Sequence, residues 1–322
     1  GSSITCWMSK EQLAKLESGK NYLENYAALV GEKSSQQYTK EMEEYNCAYQ
    51  HWLKSTEEVK QKDPQASWKE IHKICGECPW PQPVGWQSPF RPNGLHETMI
   101  RRIAPYSLRG FLYYQGEEDV QRYADYSDMM QMLVKQWRMD WNDWNLPFLF
   151  VQLPMYLADG EKDDSYWALQ REQQYIASMM IQNAGMISLA DCGEYDNIHP
   201  LDKKTPGERL FQLAKNLVYD KQGTITATAA QLFSDNGKLY VTFDHLHEKL
   251  VMQTANGCPF EISGEDNLFY PAKADVIHGN MLCISNPAVK FPSAVKYAWY
   301  NFGEAALFTE SGNPVSPFFK CV

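Results

Sequence analysis

Apolar residues follow one pattern up to about residue 220 and a different pattern beyond it. Between Leu95 and Leu217, short and nearly continuous apolar runs are separated by segments whose apolar positions have helical spacing. Continuous runs are typical of parallel strands covered on both faces, and the segments between them of crossover helices. The pattern predicts an α/β fold with a parallel sheet flanked by helices. The predicted strands are 109–114, 147–153 and the run around Met186, and the predicted helices are 95–104, 120–141, 166–181 and 205–217.

Beyond residue 220 the apolar runs are shorter, and turn residues separate them. Pairs such as Asn236-Gly237 and Gly279-Asn280 are typical of tight turns between antiparallel strands. We therefore predict an α/β domain at residues 1–220 and a small antiparallel β domain at residues 221–322. The strands expected in the second domain are 224–228, 239–243, 274–277, 281–284 and 294–300.

The first eighty or so residues have a polar, helical pattern. Ser9 with Gln12, and Ser67 with Glu70, have the spacing of capping boxes, in which two side chains cap a helix start reciprocally. The charged segment 35–62 carries aromatic residues near helical spacing, which predicts a long, half-exposed helix. We interpret residues 18–78, approximately, as a helical insertion or lid in the α/β domain.

Charge and hydropathy narrow the classes of partner. The 322 residues include 30 basic and 40 acidic side chains, a formal net charge of -10, without a basic block. This balance argues against nucleic acid or an anionic membrane as the main partner. No apolar run approaches the roughly 18 residues that a membrane span requires. Oligomeric state does not follow from composition.

The cysteines suggest one alternative chemistry. Eight are scattered along the chain, and Cys75 and Cys78 lie close to His72. These three residues have half the spacing of a zinc site, but no second ligand pair completes four ligands. A thiol or zinc-linked module is therefore kept as an alternative.

Two polar loops that follow predicted strands contain candidate catalytic residues. Asp196 and His199 lie after the strand around Met186, and a carboxylate beside an imidazole is the base half of a Ser-His-Asp hydrolase. Asp191 and Glu194 are alternative orienting carboxylates, although the three-residue offset favours Asp196. Gln115-Gly116-Glu117 follows the first predicted strand, where a glutamine amide can donate to a developing oxyanion. The carboxyl ends of parallel strands meet at one edge, so both loops are expected there.

The amino-acid sequences of several segments resemble those of the sialate O-acetylesterase family of SGNH/GDSL-type hydrolases, which are relatives of carbohydrate acetylesterases. The resemblance extends along the whole chain, and the helical stretch 18–78 is its least characteristic part. It is most specific in RGFLYYQGE (109–117), LPFLFVQL (146–153) and DNIHP (196–200), and continues in FEISGED (260–266), FYPA (269–272), VKYAW (295–299) and PVSPF (314–318).

The resemblance implies a serine esterase that removes O-acetyl groups from sugars, with sialic acids as one candidate substrate. His199 would be the general base, Asp196 would orient it, and Gln115 would be the side-chain oxyanion donor. Gly116 lets the backbone come close to a ligand, and Glu117 would buttress this loop. Such a mechanism requires no metal or organic cofactor. The family also implies an extracytoplasmic location, whether periplasmic, secreted or lysosomal.

The chain departs from the family pattern at its first residues. Family members carry the nucleophile in a Ser-Trp-Gly-Gly sequence shortly before a segment that ends in Trp, and Trp7 resembles that ending. When Trp7 is aligned with that tryptophan, Gly1 becomes the second glycine of the Ser-Trp-Gly-Gly sequence. The nucleophilic serine is therefore expected upstream of Gly1. Ser2 and Ser3 are the alternative nucleophiles, although their positions differ from that of the motif serine by several residues. Residues 1–322 alone are then expected to hydrolyse esters poorly, and the alternative is a non-catalytic carbohydrate-binding protein that retains the fold.

Overall fold

The computed structural model describes residues 1–322, which form two compact units. The first comprises residues 1–106 and 135–142, and the second comprises residues 107–134 and 143–322. These bounds differ from the division at residue 220, which stays a prediction. None of the helices is both long enough and apolar enough to cross a membrane.

The first unit is helical. Its long exposed helix α3 has the predicted bounds, because aromatic residues such as Tyr38 and Trp52 form a narrow buried stripe on a charged surface. Ser67 and Glu70 form the predicted capping box. The helices are α1 (Lys10–Leu13), α2 (Glu17–Val30), α3 (Ser35–Lys62), α4 (Trp68–Cys75), a π-helix (His96–Ile100) and α5 (Arg101–Ile103).

The predicted capping box at Ser9 is only half formed, and on this point the sequence interpretation was wrong. Ser9 Oγ accepts from the Gln12 amide at 3.2 Å, as expected. The Gln12 side chain instead accepts from Lys15 Nζ, and the Ser9 amide donates to Gln136 Oε1 at 2.9 Å. A distant side chain thus supplies the second cap, because Gln136 lies next to this helix start only in the folded chain.

A three-stranded parallel sheet lies in the second unit, in the order β1-β2-β3. Every residue of the central strand β2 is buried, as expected for an apolar run covered on both faces. The α/β fold with helices around a parallel sheet is therefore confirmed. Its elements are β1 (Phe111–Tyr113), a 3₁₀ helix (Glu117–Asp125), α6 (Tyr126–Asp140), β2 (Phe148–Gln152), α7 (Tyr166–Met180), β3 (Ala184–Ser188) and α8 (Lys204–Leu217).

The remainder of the chain forms antiparallel sheets, as predicted. Their strand orders are β4-β5-β10-β9, β13-β11-β7-β8 and β12-β6. The strand predicted at 224–228 was wrong, because regular pairing begins only at Thr228, and the strands β6, β7, β8, β12 and β13 were not predicted. The strands are β4 (Thr228–Asp235), β5 (Lys238–Asp244), β6 (Leu250–Met252), β7 (Phe260–Ser263), β8 (Tyr270–Pro271), β9 (Lys273–Ile277), β10 (Met281–Ser285), β11 (Ala294–Tyr297), β12 (Leu307–Thr309) and β13 (Phe318–Cys321).

The antiparallel sheets share a core with two loops of the parallel sheet. Met155, after β2, and Ala190, after β3, are buried in the same apolar cluster as Leu239, Ile262 and Tyr297. Burying such side chains contributes about 1.5–3 kcal/mol each. The β-rich part thus supports the loops at the carboxyl edge of the parallel sheet.

Candidate active site

The carboxyl edge of the parallel sheet is organised by Gln174, a fully buried residue of α7. Its Oε1 accepts from the Leu153 amide at 2.8 Å, just after β2. Its Nε2 donates to the Gln115 carbonyl at 3.2 Å, just after β1. One side chain therefore sets the spacing between the ends of two strands.

Gln115 lies in a network of hydrogen bonds that fixes its amide. Nε2 donates to Asp119 Oδ2 at 2.7 Å. Oε1 accepts from the hydroxyls of Tyr113 and Tyr126, at 3.2 and 3.1 Å. Burial raises the pKa of Tyr126 well above its usual value, so this hydroxyl stays a donor at neutral pH. The arrangement suits a preorganised polar group.

Gly116 is required sterically, because it has a φ of 152° and no room for a side chain. A Cβ there would lie 2.9 Å from Gln174 Nε2. Glu117 follows as the first residue of the 3₁₀ helix. Burial raises the pKa of the Glu117 carboxyl, and the positive charge of Lys203 opposes that rise.

The loop after β3 presents His199 through a chain of hydrogen bonds. Glu194 Oε2 accepts from Asn197 Nδ2 at 2.6 Å, and Glu194 Oε1 accepts from the Leu201 amide at 2.6 Å. Asn197 Oδ1 accepts from the His199 amide at 3.1 Å. The His199 side chain is exposed, and partial desolvation together with Lys203 lowers its pKa.

The two predicted loops come together around Lys203 and Tyr114. Lys203 Nζ lies 5.4 Å from the centroid of the Tyr114 ring, the residue before Gln115. The same ammonium acts on both Glu117 and His199. The Gln115 loop and the His199 loop therefore lie within electrostatic reach of one cation at the sheet edge.

Asp196 and His199 are not joined by a hydrogen bond or an ion pair. Asp196 Oδ1 instead accepts from the Asp159 amide at 2.9 Å, and the Asp196 amide donates to the Leu157 carbonyl at 2.9 Å. Asp196 has a φ of 58°, a conformation that asparagine and aspartate tolerate better than most residues. Its predicted role in orienting His199 stays a prediction.

The alternative carboxylates have other partners. Asp191 is bound in a bidentate ion pair to Arg209, at 2.7 and 2.6 Å. Cys192 donates to Asp191, and burial raises the pKa of the Cys192 thiol to about 12. This thiol is therefore protonated at neutral pH and a poor nucleophile.

The Cys75 and Cys78 alternative gains no further ligands in the structure. The two residues are not joined by a disulfide, and the His72 ring instead lies 3.7 Å from Glu77. No group of three or more histidine, cysteine, aspartate or glutamate side chains is arranged to hold a metal ion.

Sequence reasoning missed four residues of the edge: Asp119, Gln174, Asn197 and Lys203. The relevant signal was weak in each case. The polar stretch Gln170–Gln174 on α7 has buried polar positions at 170, 171 and 174, which conflicts with a purely apolar inner face. Buried polar side chains require hydrogen-bond partners, so this conflict indicated a polar network under the edge.

Gly193→Ala is expected to destabilise the protein by about 3 kcal/mol, because small-to-large changes at packed sites force backbone shifts. A Cβ at Gly193 would lie 1.9 Å from the Met155 carbonyl oxygen, which belongs to the backbone and cannot rotate away. Urea unfolding measures the loss. Gly207→Ala is the matched control, since nothing lies within 4 Å of a Cβ there, in α8. The control should gain up to about 1 kcal/mol. Equal stability of the two variants would contradict the predicted clash.

The fold and one matched segment make this chain similar to carbohydrate esterases. Residues 83–215 match the family model described as carbohydrate esterase, sialic acid-specific acetylesterase. That segment contains both the Gln115 loop and the His199 loop. The match supports the sialate O-acetylesterase family predicted from the sequence, whereas the SGNH/GDSL assignment stays an implication of the resemblance.

Individual proteins similar to this chain are also named as acetylesterases. Sialate O-acetylesterase of Mus musculus is 26% identical over 260 residues, which cover 71% of this chain and 47% of the relative. The Homo sapiens protein of the same name is 25% identical over 208 residues, covering 58% and 39%. The crystal structure of a carbohydrate acetylesterase from Xanthomonas citri superposes with a TM-score of 0.66 at 32% identity, covering 70% of this chain and 53% of that one. The chain thus spans about half the length of these relatives.

Proposed function

We propose that this protein is a serine-type esterase that removes O-acetyl groups from sugars. The observation that carries the proposal is the meeting of two loops at the sheet edge. One has a hydrogen-bonded glutamine amide at Gln115, and the other an exposed imidazole at His199. An oxyanion donor and a general base at one sheet edge are two of the groups that acyl transfer to a serine requires.

The proposed reaction has two steps. The nucleophilic serine, expected upstream of Gly1, attacks the acetyl carbonyl while His199 takes its proton. The Gln115 amide and backbone N–H groups stabilise the oxyanion, and the sugar hydroxyl leaves with the proton from His199. Water, activated by His199, then attacks the acetyl-serine and releases acetate. No step uses a metal or an organic cofactor.

Asp196 and Glu117 have supporting roles in this proposal. The Asp159 amide uses Oδ1 of Asp196, which leaves Oδ2 for the imidazole N–H of His199. Glu117 begins the 3₁₀ helix behind the Gln115 loop and holds this loop in place. The extracytoplasmic location implied by the resemblance belongs to the same proposal.

Sialic acids are the finer substrate proposal, and Lys203 supports it. Sialic acids carry a carboxylate that neutral acetylated sugars lack. Lys203 is exposed, has no ion pair, and lies over the Tyr114 ring. Its ammonium therefore offers a positive charge to an anionic sugar next to the proposed base.

The test is acetate release by a polypeptide that includes the residues encoded upstream of Gly1, with acetylated sialic acid and an acetylated neutral hexose as substrates. Lys203→Met should raise KM for the sialic acid about fivefold and leave KM for the hexose unchanged. Because Lys203 lowers the pKa of His199, the variant should also lose activity at a higher pH on acidification. Lys204→Met, whose lysine pairs with Glu208 at 3.5 Å, is the control.

Each possible result of these experiments tests a different part of the proposal. Equal effects of Lys203→Met on both substrates would refute the role in substrate charge. The absence of acetate release from either substrate would refute the esterase. Sugar binding without turnover would favour the non-catalytic carbohydrate-binding alternative. If the upstream codons encode no serine in a Trp-Gly-Gly context, the proposed nucleophile fails.

A further inference from the structure

We infer that Glu194 and Asn197 are positioning residues for His199, acting through hydrogen bonds to the main chain of the loop. The inference rests on the proposed function, since it concerns the base of that reaction. We call the set Glu194, Asn197, His199 and Leu201 the loop relay. It is distinct from the Asp196 carboxylate, which is bound to the Asp159 amide.

The direction of every hydrogen bond in the loop relay is determined. The His199 and Leu201 amides can only donate, and an ionised carboxylate can only accept. Asn197 Oδ1 must therefore face the His199 amide, at 3.1 Å. This leaves Asn197 Nδ2 facing Glu194 Oε2, at 2.6 Å, while Glu194 Oε1 takes the Leu201 amide. The relay has one consistent arrangement.

The loop relay holds the residues on both sides of His199. Glu194 and Asn197 also form a β-bridge, so the loop is closed at its base. Asn197 is only 7% exposed, and an unmade hydrogen bond there would cost about 1–3 kcal/mol. Ile198 packs against Val120, Leu153 and Trp167 and adds an apolar anchor. The exposed imidazole thus projects from a main chain fixed on both sides.

This arrangement has a consequence for catalysis. The His199 ring is exposed and has no hydrogen-bond partner of its own, so its position depends on the backbone that carries it. A displacement of about 1 Å in a catalytic group can lower a rate about 100-fold. Disrupting the loop relay should therefore lower kcat rather than raise KM.

Two single substitutions break the loop relay in opposite ways. Glu194→Gln sets an amide N–H₂ against Asn197 Nδ2, so two donors face each other. Asn197→Asp sets a carboxylate against the Glu194 carboxylate. Combined, the two changes restore the relay: the new glutamine accepts from the Leu201 amide and donates to the new aspartate, which accepts from the His199 amide. The net charge of the pair is the same as in the wild type.

In a polypeptide that carries the proposed nucleophilic serine, each single variant should lower kcat for acetate release about 10- to 100-fold with KM changed less than about threefold. The double variant should return to within about threefold of the wild type. Glu208→Gln removes one exposed negative charge from nearby α8 and should change nothing. Single variants as active as the wild type, or a double variant no better than the singles, would overturn the inference.

A second measurement does not depend on turnover. Hydrogen exchange of the His199 and Leu201 amides, followed by NMR in the chain itself, should accelerate about tenfold or more in each single variant and slow again in the double variant. If a single variant fails to fold, amide exchange is measured in Asn197→Ala instead, because this variant removes both contacts of Asn197 without introducing repulsion. Unchanged exchange would overturn the inference. Restored exchange, together with no acetate release from the polypeptide that carries the proposed serine, would refute the proposed function and leave the relay intact.

Discussion

His199→Ala lowers kcat/KM for acetate release from an acetylated sugar by about three orders of magnitude or more, as the expected result of removing a general base from a serine esterase. The measurement is steady-state acetate release by a polypeptide that carries the proposed nucleophilic serine. His199 is the exposed imidazole between the anchored Asn197 and the buried Pro200, so its removal leaves the surrounding loop with its contacts. The loss should therefore be in rate and not in stability.

The control is His247→Ala, because His247 belongs to the β-rich part of the chain and to no hydrogen bond of the sheet edge. Its kinetics should equal those of the wild type. An undiminished rate in His199→Ala would refute the assignment of the base.

The pH profile gives an independent reading of His199. A general base works in its neutral form, and partial desolvation lowers the pKa of His199. The acid limb of kcat/KM should therefore lie below pH 6.5 or so, the usual value for histidine. An acid limb above that value would contradict the lowered pKa.

Gln115→Ala is expected to lower kcat about 100- to 1,000-fold with a small change in KM, because an oxyanion donor acts mainly in the transition state. Its amide is placed by Asp119, Tyr113 and Tyr126, so no reorganisation is required during the reaction. The measurement is steady-state acetate release with an acetylated sugar.

The same substitution also affects stability, which the experiment must separate. Truncating Gln115 leaves the Tyr126 hydroxyl and the Asp119 carboxylate with fewer partners, at a cost of about 1–3 kcal/mol. Kinetics should therefore be measured well below the unfolding temperature. Gln173→Ala is the matched control, since the Gln173 side chain on α7 accepts from Ser127 Oγ on α6 and not from a partner of the Gln115 amide. A kcat within about threefold of the wild type for Gln115→Ala would rule out the oxyanion role.

Regular apolar runs made the parallel sheet predictable. Apart from Gln152, segment 147–153 is apolar, and such a short, nearly continuous apolar run is typical of a strand buried on both faces. The strands β6 and β12 escaped prediction because each has three residues and pairs only with the other, far apart in sequence. Short elements of this kind depend on tertiary pairing, which local pattern does not contain.

The sequence predicted which loops form the candidate site, but it did not predict which side chains contact each other there. The positions of Gln115 and His199 after two strands placed both at one edge of a parallel sheet, since all carboxyl ends meet there. The partner of Asp196 was not predictable, because the Asp159 amide reaches it across a 37-residue separation. Gln174 is similar, as it lies 59 residues from the carbonyl to which it donates.

The sequence by itself determined the order of the elements around the parallel sheet, the resemblance to a family and the two loops that carry candidate chemistry, because apolar periodicity and local motifs are properties of neighbouring residues. Only the tertiary structure decided which polar groups meet. Lys203 faces Tyr114, Gln174 joins two strand ends, and Asn197 connects Glu194 to His199. These are directional contacts that depend on angstrom-scale distances, and folding sets those distances through packing of the whole unit.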